Sequence, residues 1–446
     1  MIQINPREVA ADVILSIMEE GAYNNTALRR ALRQNGALER KDKALVTEIV
    51  NGTLRNILYI DFVINQFSKT KTEKMKSWIL TVLRISIYQI CFLDIPDSAA
   101  CNEGVKLIES RGYGALKGFV NGVLRTVARQ KGDIMLPYAG TAEYLSVCYS
   151  HPLWLVQMWI AYYGYEETKA LCEANNLPPD VTIRVNTTRI DKDRLLHLLE
   201  KEGIEVSQGK YCTDALHIKG SSDIGRLRAF EEGLFHVQDE SSQLAVEVLS
   251  PQKGSKVLDI CAAPGGKSFT IAEKMENDGQ VFACDIYEHK ADLIAQGAKR
   301  LGLDCITVQI HDAAKKDASL AEQFDCVLVD APCSGFGLIR KKPDIRLKKD
   351  GSEIDALVPL QRRILETASA YVKENGVLVY STCTLSRKEN EKNVEWFLKE
   401  YPMFEAVDIS SRLPDGLTQE TTKGISLFPH ETGTDGFFIA KFERRG

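Results

Sequence analysis

The sequence predicts a multi-domain protein: an all-helical front end, a small α+β segment, and a C-terminal Rossmann-like α/β domain. Three observations predict it. Apolar residues recur at spacings of three and four through residues 6–131, as in Val9, Val13, Ile14 and Ile17 or Leu80, Leu83, Ile87 and Ile90. From residue 256 onward the pattern becomes short β-rich runs separated by stretches of helical length. A chain of 446 residues also exceeds what one core of ordinary size supports.

The front end is taken as residues 1–140, with breaks between helices marked by Gly, Asn or Pro. The span 135–154 carries Pro137, Gly140 and Pro152, and reads as a linker. Residues 141–235 form the linker and the small α+β segment, with strands expected at 181–186 and 215–220. The remainder, 236–446, is the α/β domain, with strands expected at 256–261, 280–285, 305–310, 324–330 and 376–382. Buried parallel strands are near-continuous apolar runs, and connections of helical length place helices on both faces of the sheet.

Composition narrows the function classes. No run of about 18 uncharged apolar residues occurs, and Arg7, Glu8 and Asp12 interrupt the first apolar stretch, so neither a membrane span nor a signal peptide is expected and a cytoplasmic location is. The eleven cysteines are scattered, with no CxxC pair and no Cys/His cluster at zinc spacing, which argues for free thiols and no metal. The net charge of −5 is unevenly placed: residues 1–140 hold 19 Lys and Arg against 14 Asp and Glu, a net +5, leaving 37 against 47, a net −10, for the rest. A basic front on an acidic body is compatible with RNA docking.

In open α/β sheets ligands bind at the carboxyl ends of the strands, and the chemistry-bearing residues fall there. The first run leads into Cys261, Ala262, Ala263, Pro264, Gly265, Gly266 and Lys267, a tight glycine turn opening a helix, where the backbone can approach a ligand. The Gly266-Lys267-Ser268 triplet imitates the end of a phosphate loop, but Cys261 stands where that motif needs glycine. The next strand ends in Asp285, placed to accept from two ribose hydroxyls; Asp312 follows the third strand and suits an adenine amino group; Asp330 ends the fourth. Each taken singly is equally a helix cap or a turn residue. S-adenosylmethionine presents both the ribose diol and the adenine, and is the expected cofactor, with S-adenosylhomocysteine as product.

Two cysteines, Cys333 in DAPCSG and Cys383 in STCT, lie just past the fourth and fifth strands. A lone cysteine is more often a small buried hydrophobe, but two beside a methyl donor suit one reaction. Carbon 5 of cytosine is a poor nucleophile until a thiolate adds to carbon 6 and converts the ring to an enamine. A group at ring nitrogen 3 assists, with Asp330 the nearest acid, and a second group helps expel the thiol. On chemistry alone either cysteine qualifies as nucleophile.

With DICAAPGGKS, DAPCSG and STCT in this order, together with RVNTT, VQDESSQ, LIRKKPDIR and GFFIAKFER, the chain resembles the Nol1/Nop2/Sun family of RNA cytosine-C5 methyltransferases. The front end, through ALVTEIVNGTLRN and FVNGVLR, is similar to NusB, an RNA-binding fold, and the pairing is that of the Sun/RsmB type, which methylates small-subunit ribosomal RNA. The resemblance implies Cys261–Lys267, Asp285, Asp312 and Asp330 as cofactor contacts, Cys383 as nucleophile and Cys333 as the helper in product release. One departure is Lys342, where relatives often have His.

The target base must be unstacked, so a loop or flipped cytosine is expected. Arg340, Lys341, Lys342 and Arg346, with Arg184, are candidate phosphate contacts, or else a solvated basic loop. A monomer is expected. Two rivals stand beside this reading: the same chemistry on transfer or another RNA, and a catalytically dead RNA-binding or assembly factor.

Overall fold

A computed structural model describes residues 4–219, 224–417 and 423–446. The chain forms two compact units, one comprising residues up to Leu177 with Ile339–Asp350, the other Pro178–Leu338 with Gly351–Gly446. Among the described residues no helix is long and apolar enough to cross a membrane.

The first unit is helical. Its opening helix, Pro6–Glu19, starts where the Asn5 side chain accepts from the Arg7 amide, with proline in the first turn, and buries Val9, Ala10, Val13, Ile14 and Ile17. Helix Ser77–Phe92 is apolar nearly all round and lies in the core. It comes so close to Arg40–Arg55 that a Cβ on Gly52 would sit 1.9 Å from the Tyr88 ring, so any larger residue there has to displace that ring. Within 135–154, expected as linker, a helix forms at Ala142–Cys148, capped by the Thr141 hydroxyl. Pro137, Gly140 and Pro152 punctuate this helix rather than exclude it, and helices Leu153–Tyr163 and Tyr165–Ala174 complete the unit.

The second unit holds two sheets. The smaller contains β1 (Val181–Val185), β2 (Glu205–Gln208), β3 (Ala215–Lys219) and β4 (Phe235–Val237), antiparallel in the order β2-β3-β1-β4. Gly220, at the end of the expected strand 215–220, lies outside the described residues. Helix Lys192–Lys201 covers this sheet, packing Leu195 and Leu199 with Ile183, Val185, Leu216 and Phe235.

The larger sheet contains β5 (Lys256–Asp259), β6 (Gln280–Asp285), β7 (Ile306–Ile310), β8 (Phe324–Asp330), β9 (Val372–Thr382), β10 (Phe404–Ala406), β11 (Ile425–Leu427) and β12 (Phe437–Arg444). Its order is β10-β12-β9-β8-β5-β6-β7, with β11 also pairing β12. Strands β5 to β9 are mutually parallel, as the sequence predicts; β10, β11 and β12 add antiparallel pairings, making the sheet mixed. Both faces are covered. Leu328, Val379 and Ile439 pack with Leu244 and Ile271 on one side, while Val327, Val329 and Tyr380 pack with Ile364, Leu365 and Phe397 on the other. The period-two alternation of β8 divides its side chains between these cores.

Candidate active site

The reversal of strand order beside β5 opens a crevice at the carboxyl ends of β5, β6, β8 and β9. After β5 the chain turns sharply. The Gly265 amide donates to Ala262 O at 2.7 Å, Ala262 N donates to Cys284 O at 2.8 Å, and the Ala263–Pro264 bond is cis. Gly265 adopts φ +111°, and a Cβ there would meet the Phe269 ring at 2.4 Å, so the turn requires glycine. Gly266 then opens the helix Gly266–Lys274. Beneath the turn, fully buried Asp259 accepts from the Ser268 hydroxyl at 2.7 Å; burial raises its pKa to about 7, the Ser268 bond opposing. The half-buried Cys261 thiol is pushed well up by burial and by the carboxylates of Asp259, Asp330 and Asp285, so it stays neutral.

At the end of β6, Asp285 is buried and accepts from the Tyr287 amide at 3.1 Å; it stands in register with Ile310 of β7. Asp312 follows β7, its carboxylate held low by the Ala314 amide and by Lys315. Next to these acids Ile286 and Ile310 are 50% and 60% exposed. Acceptors at consecutive strand ends, exposed apolar side chains beside them and a glycine turn suit the ribose diol, the flat adenine and the close approach of S-adenosylmethionine.

On the other side, Asp330 of β8 stands in register with Ser381 of β9 and accepts from its hydroxyl at 2.9 Å. Its second oxygen meets Lys267 Nζ at 2.7 Å, and that ammonium also lies 5.1 Å from the centre of the Phe437 ring. Burial works against the lysine charge, but Asp330 outweighs it and the Lys267 pKa rises. The ammonium therefore pairs with Asp330, which the sequence placed together with it among the cofactor contacts. Ser381 and Phe437 were missed; Ser381 lies on an expected strand and Phe437 on β12, which was not expected, and their pairing with β8 and Lys267 depends on tertiary structure.

The two strand-end cysteines come together, with Cys333 Sγ 3.2 Å from Cys383 Sγ and both side chains half-buried. The Cys333 thiol is pushed well up, first by its hydrogen bond to Cys383, then by burial and by the negative charge of Glu389 and Asp330.

Two of the basic candidates are corrected. Arg184 is 1% exposed and donates to Glu273 at 2.8 Å, Asp214 at 3.1 Å and Gln243 at 3.2 Å. Arg346, 2% exposed, donates to the Arg55 and Ser150 carbonyls at 2.6 and 2.8 Å, and burial lowers its pKa to about 9. Both guanidiniums are buried inside the protein and so out of reach of a phosphate. Residues 339–350 instead strap the helical unit, with Asp344 accepting from Asn24 N and Lys348 donating to Ala22 O. Arg340 is buried, Lys341 half-buried and Lys342 exposed.

Three family models match consecutive parts of the chain: the NusB family over residues 4–129, the ferredoxin-like domain of RsmF/B-like methyltransferases over 151–225, and the 16S rRNA methyltransferases RsmB/F over 246–443. A probable ribosomal RNA small subunit methyltransferase B of Bacillus subtilis is 39% identical, the match covering 100% of both chains. The chain belongs to the RsmB/F family of 16S rRNA methyltransferases. Another RsmB relative, the ribosomal RNA small subunit methyltransferase B of Cronobacter sakazakii, is 34% identical over 99% of each chain. Among solved structures, PH0851 matches with TM-score 0.83 and 29% identity over 99% of this chain and 100% of its own. A methyltransferase homologue from Pyrococcus horikoshii matches with TM-score 0.60 and 27% identity over 69% of this chain and 100% of its own. RsmB/F proteins are S-adenosylmethionine-dependent.

Proposed function

We propose that this chain methylates carbon 5 of a cytosine in small-subunit ribosomal RNA through a covalent adduct on Cys383, with Cys333 assisting release. The observation that carries the reading is the pair of strand-end thiols 3.2 Å apart beside the Asp330–Lys267 ion pair. When bound, S-adenosylmethionine supplies an electrophilic methyl group to this crevice; the turn Cys261–Gly266, Asp285 and Asp312 hold it.

The Cys383 thiolate forms a bond to C6 of the ring, and the C5–C6 π electrons move toward C5. Charge developing at N3 is met by the Lys267 ammonium, while Asp330, fixed by Ser381 and Lys267, accepts from the exocyclic amine. Carbon 5 then takes the methyl group, solvent water accepts the proton from carbon 5, and the C5–H electrons re-form the C5–C6 double bond as the C6–S electrons return to sulfur. Cys333, held as a thiol within hydrogen-bond reach of the departing sulfur, stabilises that leaving thiolate.

Pro332 is exposed and the two thiols are half-buried, so an unstacked base has a route to them from solvent. Lys342 is the basic residue of the expected set whose exposure suits a phosphate.

The test is nucleoside mass spectrometry on unmethylated 16S rRNA and on transfer RNA, each incubated with the purified chain and S-adenosylmethionine. Expected is 5-methylcytidine in the ribosomal RNA; formation in transfer RNA alone, or no methyl transfer to either, contradicts the proposal.

A further inference from the structure

Near Cys383 in the chain lies a fully buried carboxylate, Glu389, that the proposed chemistry does not use. Its oxygens accept from the Ser334 amide at 2.9 Å, the Ser334 hydroxyl at 2.6 Å and Gln361 Nε2 at 3.0 Å. All three donors are neutral. Burying a carboxylate is costly, and such a group persists where donors converge on it with good geometry.

The donors it collects belong to the turn that carries Cys333. Ser334 is the next residue after that cysteine, and the same Gln361 amide also donates to the carbonyl of Pro332, which precedes it. The Ser334 hydroxyl then lies 2.6 Å from the hydroxyl of Thr384, the residue after Cys383. Both cysteine turns are therefore tied to one buried carboxylate through short hydrogen bonds.

We propose that Glu389 is a positioning residue for methyl transfer: it locks the Cys333 turn against the Cys383 turn and so sets the spacing of the two sulfurs. This rests on the reading of Cys383 as nucleophile and Cys333 as its helper in release. Its negative charge acts in the same direction as the geometry, adding to the hydrogen bond between Cys333 and Cys383, the burial and Asp330 in keeping Cys333 a thiol.

Sulfur spacing can be read without catalysis. Diamide oxidises two adjacent thiols to a disulfide, taking up both hydrogens itself, and peptide mass spectrometry of the full-length protein quantifies the Cys333–Cys383 product. Sulfurs 3.2 Å apart need only a small approach to bond in the wild type. Glu389→Ala is expected to slow this crosslink about tenfold or more and to lower kcat with the cofactor KM unchanged, because misplacement by about an ångström costs orders of magnitude in a proximity-driven step. Glu389→Gln, which keeps an acceptor for the Ser334 amide, is expected to restore the crosslink. Should Glu389→Ala fail to fold, Ser334→Ala decides, since it removes the hydroxyl that joins Glu389 to Thr384 and is expected to slow the crosslink as well. Wild-type crosslinking in every folded variant overturns the proposal. Slowed crosslinking with undiminished methyl transfer leaves the spacing device standing and overturns the nucleophile reading beneath it.

Discussion

Asp330 and Lys267 form an ion pair of 2.7 Å in which the lysine comes from the cofactor-turn helix and the aspartate from the end of the strand leading to Cys333. The pair thus joins the helix proposed to hold the methyl donor to the strand proposed to carry the chemistry. Asp330→Asn removes the charge that keeps Lys267 in place. Methyl transfer is expected to fall by about a hundredfold or more, as for loss of a preorganised electrostatic group. Cofactor affinity, measured by calorimetry, is expected to change little, because the diol and adenine acceptors are elsewhere.

Asp285→Ala should show the opposite pattern. Losing hydrogen bonds to a charged acceptor costs about 1.5–3 kcal/mol, which weakens cofactor binding by roughly ten- to a hundredfold. The same calorimetric titration checks this, and a KM increase for cofactor should accompany it.

Arg184 is tied to Glu273, which is itself fully buried. Arg184→Ala removes the guanidinium from that carboxylate, leaving His236 at 3.3 Å as its neighbour, and is expected to destabilise the second unit by about 3–5 kcal/mol. Denaturant unfolding measures the loss. The slope of RNA affinity against salt should be unchanged in whatever folded fraction remains, because this arginine touches no phosphate.

Asp259 gives the protein a pH-dependent stability. Burial raises its pKa from 3.8 to about 7, so between those values the folded state binds the proton more tightly than the unfolded chain. Its contribution to stability is greatest below the lower value and declines as pH rises toward 7, by on the order of 4 kcal/mol. Asp259→Asn is expected to flatten that part of the melting-temperature profile measured from pH 4 to pH 7.

The sequence made the strand ends legible for a physical reason. Strands buried on both faces, such as FDCVLVD, are near-continuous apolar runs, and the residues at or just past the end of each gather at the carboxyl edge of the sheet. Cys333, Cys383, Asp285 and Asp330 were readable in that way. Arg184 and Arg346 were not, because a basic side chain looks the same in sequence whether it meets a phosphate or a buried acceptor. Glu273 is 89 residues from Arg184, and the Arg55 carbonyl is 291 residues from Arg346. The return of residues 339–350 to the helical unit was hidden for the same reason: nothing local distinguishes a strap from a solvated loop.

Covalent trapping decides which sulfur attacks the ring. Wild type, Cys333→Ala and Cys383→Ala are each incubated with ribosomal RNA and S-adenosylmethionine and run on a denaturing gel. A protein–RNA adduct accumulating in Cys333→Ala and absent from Cys383→Ala is the predicted result. An adduct that forms in Cys383→Ala and is lost in Cys333→Ala contradicts it.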